Sequence, residues 1–171
     1  FPARPGTPVT DGAFIDALAR ALGRRPREVL QARDTLAVFE HASDVRKLRP
    51  DMGAIERLDT FGVIASAPGD TAPETADADA PDFVSRFFAP RAGVPEDPVT
   101  GSAHCTLVPY WAQRLGRTTL RARQVSSRVG ELFCEHRPAS GGGGGGSSHG
   151  RVRLGGHAVT FFEGTATVPE N

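Results

Sequence analysis

The 171 residues contain only two cysteines, Cys105 and Cys134. That is too few for a disulfide framework, so a reducing, cytoplasmic setting is expected. No run of 18 apolar residues occurs, which excludes a transmembrane helix. Neither sign of charge is in excess, since 20 basic residues face 20 acidic ones. A nucleic-acid binder ordinarily carries a basic surplus, so neither nucleic acid nor membrane is an expected partner. Lysine is almost missing. Lys47 is the single one and the remaining bases are arginine, a pattern that reads as genomic composition and not as function. The opening Phe1-Pro2-Ala3-Arg4-Pro5-Gly6 lacks the charged start and apolar stretch of a secretory signal. It also lacks an initiating methionine, so the chain is expected to begin inside a longer polypeptide.

What is present is the material of one globular domain. Apolar residues make up 39% and charged residues 23% of the sequence, a soluble and foldable balance. A chain of this size buries roughly 70% of the surface its unfolded form exposes. Asp11 can cap a helix running to about Leu22, with Phe14, Leu18 and Leu22 on one face and Gly23 as its stop. Strands are expected over residues 35–40, 60–67 and 83–88. Short helical turns lie between the first two, at 44–48 and 51–58. Residues 70–82 hold Asp70, Glu74, Asp77, Asp79 and Asp82 without a base. Their spacing fits no calcium loop, and a solvated loop is expected.

The stretch from Thr100 to Leu115 carries the most information. Ala103, Cys105, Leu107, Val108, Tyr110, Trp111, Ala112 and Leu115 cover nearly every side of a helix. A helix apolar all round is buried on all sides. In a chain this small, that means a central helix wrapped by sheet, kinked at Pro109. Strands 120–124 and 131–136 follow, joined near Arg128-Val129-Gly130. A second hairpin is expected from 151–154 and 157–162, turning at Gly155-Gly156. Its register would pair Val152 with Val159 and Leu154 with His157. Six consecutive glycines, 141–146, form no phosphate cradle, because a strand and not a helix follows them. The organisation is therefore a lead-in over 1–10 and one domain over 11–171, with a flexible glycine-rich loop at 138–149.

Three constellations could carry chemistry. In the first, Glu96-Asp97-Pro98-Val99-Thr100-Gly101-Ser102 precedes the buried helix. Asp97 or Thr100 could simply cap it. The start of a buried helix must nevertheless emerge at a cleft, where its free N–H groups favour an anion. In the second, His104, Cys105, Cys134 and His136 invite a zinc reading. Neighbouring His104 and Cys105 point about 100° apart on a helix, so buried filler is the better reading and no metal is expected. In the third, Arg121 and Arg123 share a strand face, for exposure, a subunit contact or a carboxylate clamp.

The stretch Asp82-Phe83-Val84-Ser85-Arg86-Phe87-Phe88-Ala89-Pro90, then Gly93 and Glu96-Asp97-Pro98-Val99-Thr100-Gly101-Ser102-Ala103-His104, resembles the PhzF-like isomerase family of phenazine biosynthesis. The likeness continues through Pro109-Tyr110-Trp111, Leu115-Gly116, Gln124, Ser127-Arg128, Gly130-Glu131-Leu132 and Gly150 to Gly156. It covers the whole chain except the glycine run.

The resemblance implies an α+β fold similar to diaminopimelate epimerase, a curved, mostly antiparallel sheet wrapped around a central buried helix. It implies a cleft between two such domains, where a proton shifts between carbons of a small carboxylate with neither cofactor nor metal. Asp97 would be catalytic, and Asp97, Thr100, Gly101 and Ser102 would bind substrate. The family's general base is a glutamate of the N-terminal domain, beside a histidine, and no segment here matches that domain. The resemblance thus implies a C-terminal domain that is inactive alone, its partner domain missing or on a separate chain. A homodimer is an alternative assembly. A non-catalytic anion-binding or scaffold half is the alternative function. Val129 stands where the family has glycine, and an altered turn after Arg128 is expected, since valine does not tolerate positive φ.

Overall fold

The computed structural model describes residues 1–70, 80–139, 149–165 and 167. The acidic residues from Glu74 to Asp79 and the six glycines lie outside them.

The strands are β1 (Thr7–Pro8), β2 (Glu28–Gln31), β3 (Thr35–Val38), β4 (Val63–Pro68), β5 (Phe83–Ala89), β6 (Val94–Asp97), β7 (Thr119–Gln124), β8 (Gly130–Arg137) and β9 (Arg151–Gly155). They form one sheet in the order β1-β2-β3-β4-β5-β7-β8-β9, with β6 alongside β5. All pairs are antiparallel except β3–β4 and β5–β7. A parallel pair needs a crossover. The first crossover carries α2 (Ala42–Lys47) and α3 (Met52–Glu56), and the second carries α4 (Gly101–Leu115). β4 and β5 are antiparallel, so the two parallel pairs point in opposite directions while the chain advances the same way across the sheet. Right-handed crossovers then fall on opposite faces.

The packing agrees. On one face Ile64, Phe83, Phe87, Leu120 and Leu132 close over Leu107 and Trp111 of α4. On the other, Val63, Ala65, Val84 and Phe88 meet Leu18 and Leu22 of α1 (Gly12–Leu22), Val45 of α2 and Ile55 of α3. Alternation along β4 and β5 sends successive side chains to the two cores.

Local chemistry explains the helices. Asp11 Oδ1 accepts from the Ala13 and Phe14 amides at 2.9 and 3.3 Å, a cap that stabilises α1 by about 1 kcal/mol. Gly23 ends it in the left-handed region at φ 73°. From Ala103 to Ala112 every residue of α4 is buried. Pro109 lies inside this helix without ending it. A proline has no N–H, so the Cys105 carbonyl loses its partner four residues on. The Arg4 amide takes that place at 2.9 Å, which ties the lead-in to the central helix.

The second expected hairpin does not form. β9 pairs with β8, Val152 opposite His136 and Leu154 opposite Cys134. Its other edge is taken by the first residues of the chain, through a Pro2–Arg151 bridge and a 2.8 Å bond from the Val152 amide to the Phe1 carbonyl. With both edges occupied, residues 157–162 have no edge of β9 to join. Val159, Phe161 and Phe162 stand 94%, 101% and 82% exposed. Strands β1, β2 and β6 form where none was expected. No described helix is long and apolar enough to cross a membrane.

Candidate active site

β6 runs antiparallel to β5 and delivers Glu96 and Asp97 to the start of α4. The two neighbouring carboxylates do different work. Glu96 meets Arg86 side-on, with Nε–Oε1 and Nη2–Oε2 both 2.8 Å. The same guanidinium donates to the Leu48 and Val45 carbonyls at 3.0 and 3.3 Å, satisfying the end of α2. Glu96 is thereby a structural tie, with both oxygens engaged.

Asp97 remains half-buried. Its Oδ2 accepts from the Thr100 hydroxyl at 2.5 Å. Thr100 is 7% exposed, and its hydroxyl does not cap α4. Among the described residues no side chain caps the start of the helix, and Gly101 and Ser102 are half-buried. Gly101 opens onto a groove of about 710 Å³, also lined by Val99, Val129, Glu131 and Leu154. Asp97 is not among the residues lining that groove. It lies four positions before Gly101, at the end of β6.

The loop between Asp97 and Gly101 is held from beneath. Gln124, fully buried on β7, bonds the Asp97 carbonyl and both the amide and the hydroxyl of Thr100. The Ser126 hydroxyl lies 2.8 and 2.9 Å from the Pro98 and Arg128 carbonyls, which share its single hydrogen. The roles of Gln124 and Ser126 escaped the sequence reading. Gln124 stands among the residues that carry the family resemblance, but nothing local in the sequence shows what it holds.

The metal constellation disperses. His104 is wholly buried and its Nδ1 lies 2.8 Å from the Thr100 carbonyl. Burial pushes its pKa down to about 4, against a smaller upward pull from that carbonyl. Its Nε2 has no hydrogen-bond partner among the described residues. Cys105 and Cys134 are buried apolar filler, and burial pushes the Cys134 thiol up to about 12. Among the described residues no His, Cys, Asp and Glu side chains gather to hold a metal ion. Arg121 and Arg123 converge on Glu131, at 3.5 and 2.5 Å. The hydrogen bond from Arg123 is the main cause that holds the Glu131 carboxyl below the usual range. Val129 is 62% exposed and sits outside the left-handed region, so the turn after Arg128 accommodates it without strain.

Residues 15–164 match the family described as Phenazine biosynthesis-like protein, PhzC-PhzF. The chain belongs to that family. It is 45% identical over 165 residues to an uncharacterized isomerase of Pseudomonas aeruginosa, covering 96% of this chain and 54% of that one. It is 35% identical over 178 residues to mouse phenazine biosynthesis-like domain-containing protein 1, covering 98% and 57%. The chain spans about half the length of the curated relatives it matches. A crystal structure of a PhzF-family protein from Enterococcus faecalis superposes with a TM-score of 0.66 at 35% identity, covering 89% of this chain and 52% of that one. One from Clostridium difficile gives 0.67 at 28%, covering 98% and 56%. The PhzF-like fold is diaminopimelate epimerase-like, α+β with a mostly antiparallel sheet.

Proposed function

We propose that this PhzF-like chain forms one wall of an isomerase cleft in which a proton moves between two carbons of a small carboxylate, without a cofactor. One observation carries the reading: an aspartate, held by the Thr100 hydroxyl, stands at the uncapped start of a buried helix that opens on a groove. The amides of Gly101 and Ser102, uncapped among the described residues, suit with the helix dipole behind them the carboxylate or the enolate-like charge that develops during the shift. Asp97 orients the substrate or hydrogen-bonds it. Thr100 contributes through Asp97, since its own hydroxyl faces inward. The proton-abstracting base comes from a second domain across the cleft, because Glu96 is bound to Arg86 and a proton shift needs a base over the substrate face. The uncovered Val159, Phe161 and Phe162 support a second domain packed nearby.

The test uses the full-length enzyme in D₂O with a panel of small unsaturated carboxylates, reading solvent deuterium in the carbon skeleton by NMR. Wash-in that falls roughly tenfold or more in Asp97→Asn supports the reading. Unchanged wash-in reduces Asp97 to a structural residue. Carboxylates that bind in calorimetry and never exchange favour the non-catalytic anion-binding alternative.

A further inference from the structure

Gln124 takes no part in the chemistry proposed above, yet every bonding function of its side chain is turned on the segment that carries Asp97. It is 0% exposed at the end of β7. Nε2 donates to the Asp97 carbonyl at 2.6 Å and to Thr100 Oγ1 at 3.1 Å. Oε1 accepts from the Thr100 amide at 2.9 Å. An amide side chain has two N–H donors and a carbonyl acceptor, and all are engaged.

Counting hydrogens gives the network a direction. The Thr100 hydroxyl owns one hydrogen and has two neighbours, Asp97 Oδ2 at 2.5 Å and Gln124 Nε2 at 3.1 Å. The amide nitrogen can only donate, and a carboxylate can only accept. The hydroxyl hydrogen therefore points at Asp97, and a hydroxyl lone pair receives Gln124.

We propose that Gln124 is a positioning residue for the isomerase, keeping Thr100 a one-way donor to Asp97 and so setting where that carboxylate stands at the start of α4. The proposal rests on the role given to Asp97 above. The geometry is specific to glutamine. Asparagine is one methylene too short. Leucine leaves the buried Thr100 amide and Asp97 carbonyl unpartnered, a cost that falls on the fold. Glutamate keeps the shape and the acceptor but loses both donors. It would draw the Thr100 hydrogen to itself and leave Asp97 without its bond.

The deciding variants are Gln124→Glu, Thr100→Val and the pair together, each made in the full-length enzyme. Two quantities are read. The first is deuterium wash-in on the carboxylate panel. The second is the proton resonance of the buried Thr100 hydroxyl, assigned by its loss in Thr100→Val. Gln124→Glu is expected to shift or abolish that resonance; it also strips the Asp97 carbonyl of its donor and so lowers the thermal midpoint, and all readings are taken well below that midpoint. Wash-in is expected to fall roughly tenfold or more in each single variant, with the double variant no slower than Thr100→Val alone, because both act through one hydroxyl. A resonance unmoved by Gln124→Glu overturns the proposal, and so do effects that multiply in the double variant. If Asp97→Asn keeps its wash-in, or if no carboxylate exchanges at all, the role of Asp97 falls instead, and the hydroxyl resonance still decides whether Gln124 sets the direction of the bond.

Discussion

Arg86 and Glu96 meet through two parallel bonds of 2.8 Å, and this pair makes Glu96 a strut while the adjacent Asp97 takes the Thr100 hydroxyl instead. The side chains are only 12% and 22% exposed, and Arg86 also holds the last carbonyls of α2. Replacing Arg86 with Met would strand Glu96 and the carbonyls together. The expected cost is about 2 kcal/mol, below that of a fully buried pair because both ends touch water. Chemical unfolding of Arg86→Met and Glu96→Gln checks it. Stability within a few tenths of the parent in both would make the contact incidental.

The central helix was legible because its evidence is local. From Ala103 to Ala112 the apolar residues leave no polar stripe, and such a helix has one place to go. The motif from Glu96 to Ser102 drew attention to a candidate site for the same reason. What stayed hidden depends on distant partners. Whether residues 157–162 form a strand turns on Phe1 and Pro2 occupying an edge of β9, a matter of chain topology. That Glu96 is a strut and Asp97 is not depends on Arg86, ten positions back on another strand. Gln124 carries the resemblance, but what it holds stays hidden until β7 brings it under Thr100, 24 positions away. β2 is four residues with half-buried ends, too short and too mixed to show a period.

Gly130 lies against Val99, and the contact leaves no room for a side chain. A Cβ there would stand 2.0 Å from Val99 Cγ2 and 3.3 Å from its Cβ. Val99 is 44% exposed and can turn its methyls away, but its Cβ belongs to the loop that carries Asp97 and Thr100. Gly130→Ala should therefore push that loop, at a cost of about 1–2 kcal/mol. Val99→Ala removes the methyls that collide. The double variant should recover most of the loss, a coupling visible in a double-mutant cycle. Strict additivity of the two changes would show that the loop does not feel Gly130.

His104 should make the fold sensitive to mild acid. Burial holds its native pKa at about 4 against an ordinary value of 6.5. Between those values the unfolded chain binds a proton that the native chain refuses. Stability therefore rises with pH across this window, and falls as pH drops from 6.5 toward 4. The full difference amounts to about 3 kcal/mol from this one residue. Urea unfolding across the window should show a shallower pH slope in His104→Gln than in the parent. Identical slopes would mean that the imidazole is protonated in the native state.

The run from His157 to Phe162 makes the last prediction, and it concerns surface and not chemistry. Val159, Phe161 and Phe162 are almost wholly exposed, while both edges of β9 are occupied. A contiguous, strand-forming apolar stretch without a cover is a contact surface or an aggregation hazard. The 171 residues made alone should thus self-associate in a concentration-dependent manner. Phe161→Asp with Phe162→Asp should suppress the association, because a charge in the stretch opposes both strand addition and apolar contact. The folded core should not notice, since neither ring packs into it. Sedimentation of the two proteins side by side, with thermal unfolding as the control, separates the effects. A parent that sediments as a clean monomer at high concentration would show that these side chains find cover within their own chain, and the case they make for a second domain across the groove would go with it.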